Sequence, residues 1–374
     1  MLRSLATATS GAVLLLASAC ASNVDDEQPP RGRQLPPAIA SDEASASAGN
    51  RCADIPVAKN LLQGELLPHG EARGSLAVGA HWAYMYIGET IQRVPITGGP
   101  AESIYTGLVA LGHVVAHGDT SAWLAGDLDD GVTLMVHNPS GLHAVELPGD
   151  ITLVYNKLLI DNAGGAIFQV SVPNATKSQT WRWNAADQTA SRLQGVGMPE
   201  LDSSTGLYFV DNDQIIWASD TGLYTTNLAT AATRLLRADG TDGVRNIIGF
   251  DSENIYGVDG LCAKGSCPFT VTALPRSGGP AFQAYQTSES YWTSSVQADA
   301  SGVYWLNFDD VAIYHASLHD DAPAERVSHV GARVPGWQIP SYFEMDECNL
   351  YWSTTTPDGT IRIMAVAKQP SAAH

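Results

Sequence analysis

Seven acids recur at intervals of 34 to 50 residues: Glu89, Asp127, Asp161, Asp211, Asp259, Asp309 and Asp358. Gathered on one rim of a closed fold, they would form an acidic mouth for a cation or a basic partner. Such acids also have a plainer use, because Asp in a turn accepts hydrogen bonds from amides two or three residues on. Asp127-Leu128-Asp129-Asp130-Gly131 is the one stretch that suggests calcium, but its acids are wrongly spaced and Asn138 stands where a closing Glu is needed. His113 with His117, and His315 with His319, have the four-residue spacing of helical zinc ligands. Both pairs fall in strand-like runs, where four residues span about 13 Å, too far to share one ion. No nucleophile elbow, phosphate loop or dinucleotide fingerprint occurs, so no cofactor is expected beyond that weak calcium candidate.

The elements that carry these residues repeat. An apolar strand with an aromatic, often followed by an acid or amide, recurs at Tyr86-Ile87-Gly88-Glu89, Trp123-Leu124-Ala125-Gly126, Leu158-Leu159-Ile160-Asp161, Tyr208-Phe209-Val210-Asp211, Tyr256-Gly257-Val258-Asp259, Tyr304-Trp305-Leu306-Asn307 and Tyr351-Trp352-Ser353-Thr354. The steps are 37, 35, 50, 48, 48 and 47 residues. A second marker, Pro95-Ile96-Thr97-Gly98-Gly99-Pro100-Ala101, returns as Pro275-Arg276-Ser277-Gly278-Gly279-Pro280-Ala281, 180 residues on, or four such periods. Each period holds four short strands; in the first they are Leu76 to Val78, Ala83 to Ile87, Ile91 to Ile96 and Glu102 to Tyr105. That is the content of one propeller blade. The expectation is an all-β propeller of seven four-stranded blades, with six as the alternative. The last period supplies three strands, ending in Thr360 to Ala367, and Ile55 to Leu62 is the expected fourth that closes the ring.

Composition agrees. Charged residues are 16%, while Gly 35 and Pro 20 point to many turns and few long helices. A formal charge of -19, from 20 Lys and Arg against 39 Asp and Glu, would repel nucleic acid, and no basic run offsets it.

Met1 to Ala19 has a single cation, Arg3, an apolar run through Val13 to Leu16 and then small residues, the layout of a secretory signal too short to span and stay. Leu16-Ala17-Ser18-Ala19-Cys20 resembles the lipobox of bacterial lipoproteins, with Ala17 in place of the commoner Leu. The resemblance implies a lipidated Cys20, a membrane partner through that anchor and, from the uncharged Ala21, outer-membrane sorting. Residues 20–51, with Pro29, Pro30, Pro36 and Pro37, read as a disordered tether. Residues 52–370 are the expected propeller domain, monomeric by itself. Four cysteines then remain, an even number in an oxidising compartment. Cys262 and Cys267 would staple one hairpin, and Cys52 with Cys348 would lock the ring.

The aromatic strand motif, best seen at Tyr208, Tyr256, Tyr304 and Tyr351, resembles the YWTD-type repeat propellers, related in appearance to TolB-like propellers. The likeness covers roughly residues 75–368, although Trp123 to Gly126 departs from the pattern. It implies a binding or scaffold module, with the acids bonding backbone amides of their own or the next blade. Tyr291, Trp292 and Trp337 are the aromatics that would meet a protein or glycan partner at the channel face, with packing between blades as their alternative. Trp181 and Trp183 read as packing between blades. Function is expected to be binding rather than catalysis, with a metal-assisted hydrolase or lyase at the acidic mouth as the rival.

Overall fold

The computed structural model describes residues 59–65, 76–87, 89–127, 131–147, 152–171, 178–193, 206–211, 213–219, 222–238, 246–260, 267–287, 293, 295–318, 323–329, 343–355 and 360–368. All lie within one compact unit, Gln34–His374. Among the described residues every regular element is a strand.

Strand β1 (Lys59–Glu65) is followed by successive groups of four. The first is β2 (Leu76–Val78), β3 (Trp82–Ile87), β4 (Thr90–Pro95) and β5 (Glu102–Thr106); the second is β6 (Val109–His117), β7 (Thr120–Asp127), β8 (Gly131–Asn138) and β9 (Gly141–Val145). The third is β10 (Thr152–Ile160), β11 (Ala166–Ser171), β12 (Gln179–Asn184) and β13 (Thr189–Arg192); the fourth is β14 (Gly206–Asp211), β15 (Gln214–Ser219), β16 (Gly222–Asn227) and β17 (Thr233–Ala238). The fifth is β18 (Asn246–Phe250), β19 (Asn254–Asp259), β20 (Thr270–Pro275) and β21 (Phe282–Gln286); the sixth is β22 (Val296–Asp299), β23 (Gly302–Asn307), β24 (Ala312–Ala316) and β25 (Glu325–His329). The last contains β26 (Phe343–Met345), β27 (Asn349–Thr355) and β28 (Thr360–Ala367).

Each group is an antiparallel meander in chain order. The fifth and sixth join through one parallel pairing of first strands, Gly249 with Ala298. In the last sheet the order is β1, β28, β27, β26, so the earliest described strand flanks the latest. Of the expected strand Ile55 to Leu62, residues 59–62 lie in β1 and residues 55–58 are outside the described residues; the β1 register runs from Lys59 opposite Ala365 to Glu65 opposite Thr360.

Side chains of period two explain how the groups pack. In β3, Ala83, Met85 and Ile87 face the last group, while Tyr84 faces the second. Both faces are therefore apolar, and such strands read as continuous hydrophobic runs; β23 is buried at every position. Distinct apolar clusters lie between the first and second groups, second and third, third and fourth, fourth and fifth, fifth and sixth, sixth and last, and last and first.

The repeat marker does not always occupy the same strand. Leu158 to Asp161 and Tyr208 to Asp211 end first strands, β10 and β14, whereas the other five stretches lie on second strands. A strand buried on both faces has the same sequence character in either position, so an aromatic marker alone does not separate them. The second marker is consistent: Pro95 to Ala101 and Pro275 to Ala281 both join third to fourth strands, and Gly98, Gly99, Gly278 and Gly279 all have positive φ there.

Candidate functional site

The turn between first and second strands carries an aspartate in every group from the second to the last: Asp119, Asp161, Asp211, Asp251, Asp299 and Asp346. Asp251 Oδ1 accepts bonds from the amides of Glu253 and Asn254, both at 2.7 Å, and its Oδ2 accepts the Tyr256 hydroxyl. Asp346 repeats this, taking the amides of Cys348 and Asn349 at 2.7 Å and the Tyr351 hydroxyl at 2.6 Å. Asp299 Oδ1 accepts the amide and hydroxyl of Ser301, which lies 3.0 Å from the Tyr304 hydroxyl. Asp161 Oδ1 accepts the amides of Ala163 and Gly165, and Arg182 Nε donates to its Oδ2 at 2.7 Å. The turn is tight: a Cβ on Gly165 would stand 2.7 Å from both Asp161 Oδ2 and Trp183 O.

Other ties cross from group to group. Arg276, in the third-to-fourth turn of the fifth group, donates to Asp211 of the fourth and, at 2.9 Å, to Asp251 O of its own. Lys368, just beyond β28, reaches Asp299 of the sixth group. His81 Nδ1 lies 2.6 Å from Asp119 Oδ1, and Ala80 N donates to Gly118 O at 2.7 Å, joining the first two groups. Asp161 and Asp211 are 1% and 2% exposed, so these charges depend on their partners.

Burial shifts several groups. Tyr256 and Tyr351 are raised well above the ordinary tyrosine value, first by desolvation and then by the carboxylates they bond; Tyr304 is raised by desolvation, and Tyr84 is pushed up to about 12. His117 is held below 6.5 by burial, partly opposed by Asp161 and by its hydrogen bond to Asn162; burial and Arg93 lower His137.

The seven expected acids do not share a rim. Asp161 and Asp211 lie at first-to-second turns, whereas Glu89, Asp127, Asp259 and Asp309 lie at second-to-third turns, the opposite end of their sheets. The displacement of the repeat marker onto β10 and β14 is the cause. Asp358 lies outside the described residues. Glu89 and Asp309 are exposed, and Glu89 has φ 61°. Asp127 pairs with Gly131 at the β7–β8 hairpin. Tyr291, Trp292, Trp337, Cys20, Cys52 and Cys262 also lie outside the described residues, and with them both expected cysteine pairings; Cys267 and Cys348 lie inside.

His113 and His117 share β6, as a strand rather than a helix, and His315 lies in β24 with Nε2 2.9 Å from Ser301 O; His319 is not described. Trp181 and Trp183 are buried between the second and third groups. Among the described residues no three of His, Cys, Asp and Glu gather as metal ligands. Ser140 Oγ and His143 Nε2 form a hydroxyl–imidazole pair at 2.9 Å. Ser140 also donates to Asn138 at 2.6 Å, so the three form a clasp across the β8–β9 turn.

The turn acids Asp119, Asp251, Asp299 and Asp346 were not among the expected site residues. Their signal is present: an Asp five residues before a Tyr at Asp251/Tyr256, Asp299/Tyr304 and Asp346/Tyr351, spaced by 48 and 47 residues. Counting acids after the aromatic rather than before it passes over them.

No known family profile matches the chain, and no curated protein is significantly similar to it. Solved structures are. The β-propeller domain of the Trilobed protease from Pyrococcus furiosus, described as having an open velcro topology, is 9% identical with a TM-score of 0.52, over 79% of this chain and 94% of that one. Oligogalacturonate lyase in complex with manganese is 10% identical with a TM-score of 0.51, over 77% of this chain and 86% of that one. TolB from Acinetobacter baumannii is 11% identical over 75% of this chain and 60% of its own, with a TM-score of 0.36, too low to carry an argument. Likeness at such identities concerns architecture alone. The chain is an all-β protein of β-propeller type.

Proposed function

We propose that this chain is a lipid-anchored propeller of the bacterial envelope that binds or scaffolds a protein or glycan partner and catalyses no reaction. The observation that carries the reading is the commitment of the turn carboxylates. Asp161, Asp251, Asp299 and Asp346 each spend one oxygen on the turn and the other on an Arg, Lys or Tyr. Groups so engaged brace the fold and are poorly placed to bind metal or move protons.

Seven blades fit the seven inter-group clusters, with the last-to-first cluster and the β1–β28 pairing as the closure. A Cys52–Cys348 clasp fits the same geometry. Lys368 N donates to Cys348 O at 2.8 Å, and Lys59, seven residues after Cys52, pairs with nearby Ala365. Such a bridge would close a loop of nearly 300 residues and add about 4 to 5 kcal/mol on a chain-entropy account. Lipidation at Cys20 and outer-membrane placement rest on the lipobox resemblance, and the YWTD-like reading on the aromatic repeats.

The test is elemental analysis of the full chain, purified in detergent from an oxidising compartment, with fatty-acid labelling of wild type and Cys20→Ala. A labelled wild type, an unlabelled variant and no stoichiometric metal are expected. One bound divalent ion per chain would move the assignment to the metal-assisted hydrolase or lyase.

A further inference from the structure

An outer strand offers unpaired amides and carbonyls to any passing chain, and natural sheets blunt that hazard with bulges, charges or brevity. Five outer strands here carry one inserted residue against their inner neighbour: Ile104 in β5, Leu236 in β17, Ala284 in β21, Val327 in β25 and Leu61 in β1. A bulge breaks the ladder and twists the edge away from a partner. Strand β13 has no bulge, but it is four residues long and ends in exposed Arg192.

Strand β9 has none of these devices. Gly141-Leu142-His143-Ala144-Val145 pairs residue for residue with β8, contains no Lys, Arg, Asp, Glu or Pro, and lies last in its sheet among the described residues. Its inward residues are anchored, with Val145 in the core shared with the third group and the His143 ring 5.7 Å from Trp183. Leu142, 42% exposed, and Ala144 point the other way into solvent. The edge is thus straight, rigidly backed and apolar on its open face.

We propose that β9 is a docking edge that accepts an extended, basic segment of a partner protein as an additional strand. Main-chain bonds to the edge would supply affinity, and alternate apolar side chains would lie beside Leu142 and Ala144. Charge selects the partner: the chain carries -19 overall, and exposed Glu146 continues directly from the strand. A second copy of this chain would bring the same negative charge to the contact. The inference rests on the binding-module reading and names its surface.

The probe is a fluorescent Lys-Lys-Val-Thr-Val-Thr-Val-Lys peptide, titrated into the full chain in detergent and followed by anisotropy. Wild type should bind. Leu142→Lys with Ala144→Lys should weaken binding by about tenfold or more, because like charge then faces like charge. Phe282→Lys on bulged β21 should leave it unchanged, and replacing the peptide's central Val by Pro should abolish it. Equal affinity for the double variant, equal loss with Phe282→Lys, full binding of the proline peptide or no binding to wild type would each overturn the proposal. So would a concentration-dependent dimer that the double variant dissolves, since the occupant would then be a second copy. Should the double variant still retain an envelope partner held by wild type, β9 is wrong and the binding reading stands. Stoichiometric metal would instead remove the binding reading itself.

Discussion

Arg276 is the side chain on which the account can be tested most sharply by mutation. It leaves the third-to-fourth turn of one group, donates to Asp211 of the preceding group and caps Asp251 O at 2.9 Å. Asp211 is 2% exposed and Arg276 21%, so the two ends of the pair are not equivalent. Arg276→Met takes the guanidinium away from a buried carboxylate, a loss of about 3 to 5 kcal/mol. Asp211→Asn leaves a guanidinium that still reaches a carbonyl and water, and should cost about 1 to 2 kcal/mol. In the double variant the carboxylate is gone, so its cost should fall short of the sum of the singles by about 1 kcal/mol or more. Urea unfolding at pH 7 provides all three values, and at roughly 2 to 4 °C per kcal/mol calorimetry should show the single Arg276→Met as a fall of roughly 6 to 20 °C. A loss below about 0.5 kcal/mol for Arg276→Met, or strict additivity, would refute the claim that this cation braces two groups.

Gly165→Ala should lose about 2 to 3 kcal/mol, because its Cβ would meet Asp161 Oδ2 and Trp183 O at 2.7 Å; equilibrium unfolding checks this, and a neutral result would disprove the tight turn. Stability should decline as pH falls through about 6.5. His117 and His137 are held below that value in the folded chain, so on acidification the unfolded chain takes up protons first; melting temperature against pH should flatten in His117→Gln. Tyr256→Phe and Tyr351→Phe should each cost about 1 kcal/mol by removing the donor to Asp251 or Asp346. Spectrophotometric titration should find both hydroxyls still neutral well above the ordinary value of 10, and ionisation with the exposed tyrosines would contradict their burial.

Much of the architecture was legible because strands buried on both faces leave apolar runs such as Val303-Tyr304-Trp305-Leu306, separated by polar turns at a repeating distance. The same property hid which strand of a group a run belongs to, and so misplaced Asp161 and Asp211 relative to Glu89, Asp259 and Asp309. For one of the expected acids the role matches the expectation although the position does not, since Asp161 does bond the amides of its own turn. Cross-group partners were not readable: nothing local to Arg276 or Lys368 announces an aspartate 65 or 69 residues away. Edge bulges at Ile104, Leu236 and Ala284 were equally invisible, because one extra residue in an outer strand does not disturb composition or the repeat.

The central claim is that the buried turn carboxylates brace the fold rather than serve a ligand. Its most direct test is the melting temperature of wild type, Asp161→Asn and Asp211→Asn, each with and without saturating calcium and manganese. The account predicts that both variants melt lower by the same margin in every condition and that wild type does not respond to the ions. A rise in wild type that either variant loses would make these carboxylates a cation site and would contradict it.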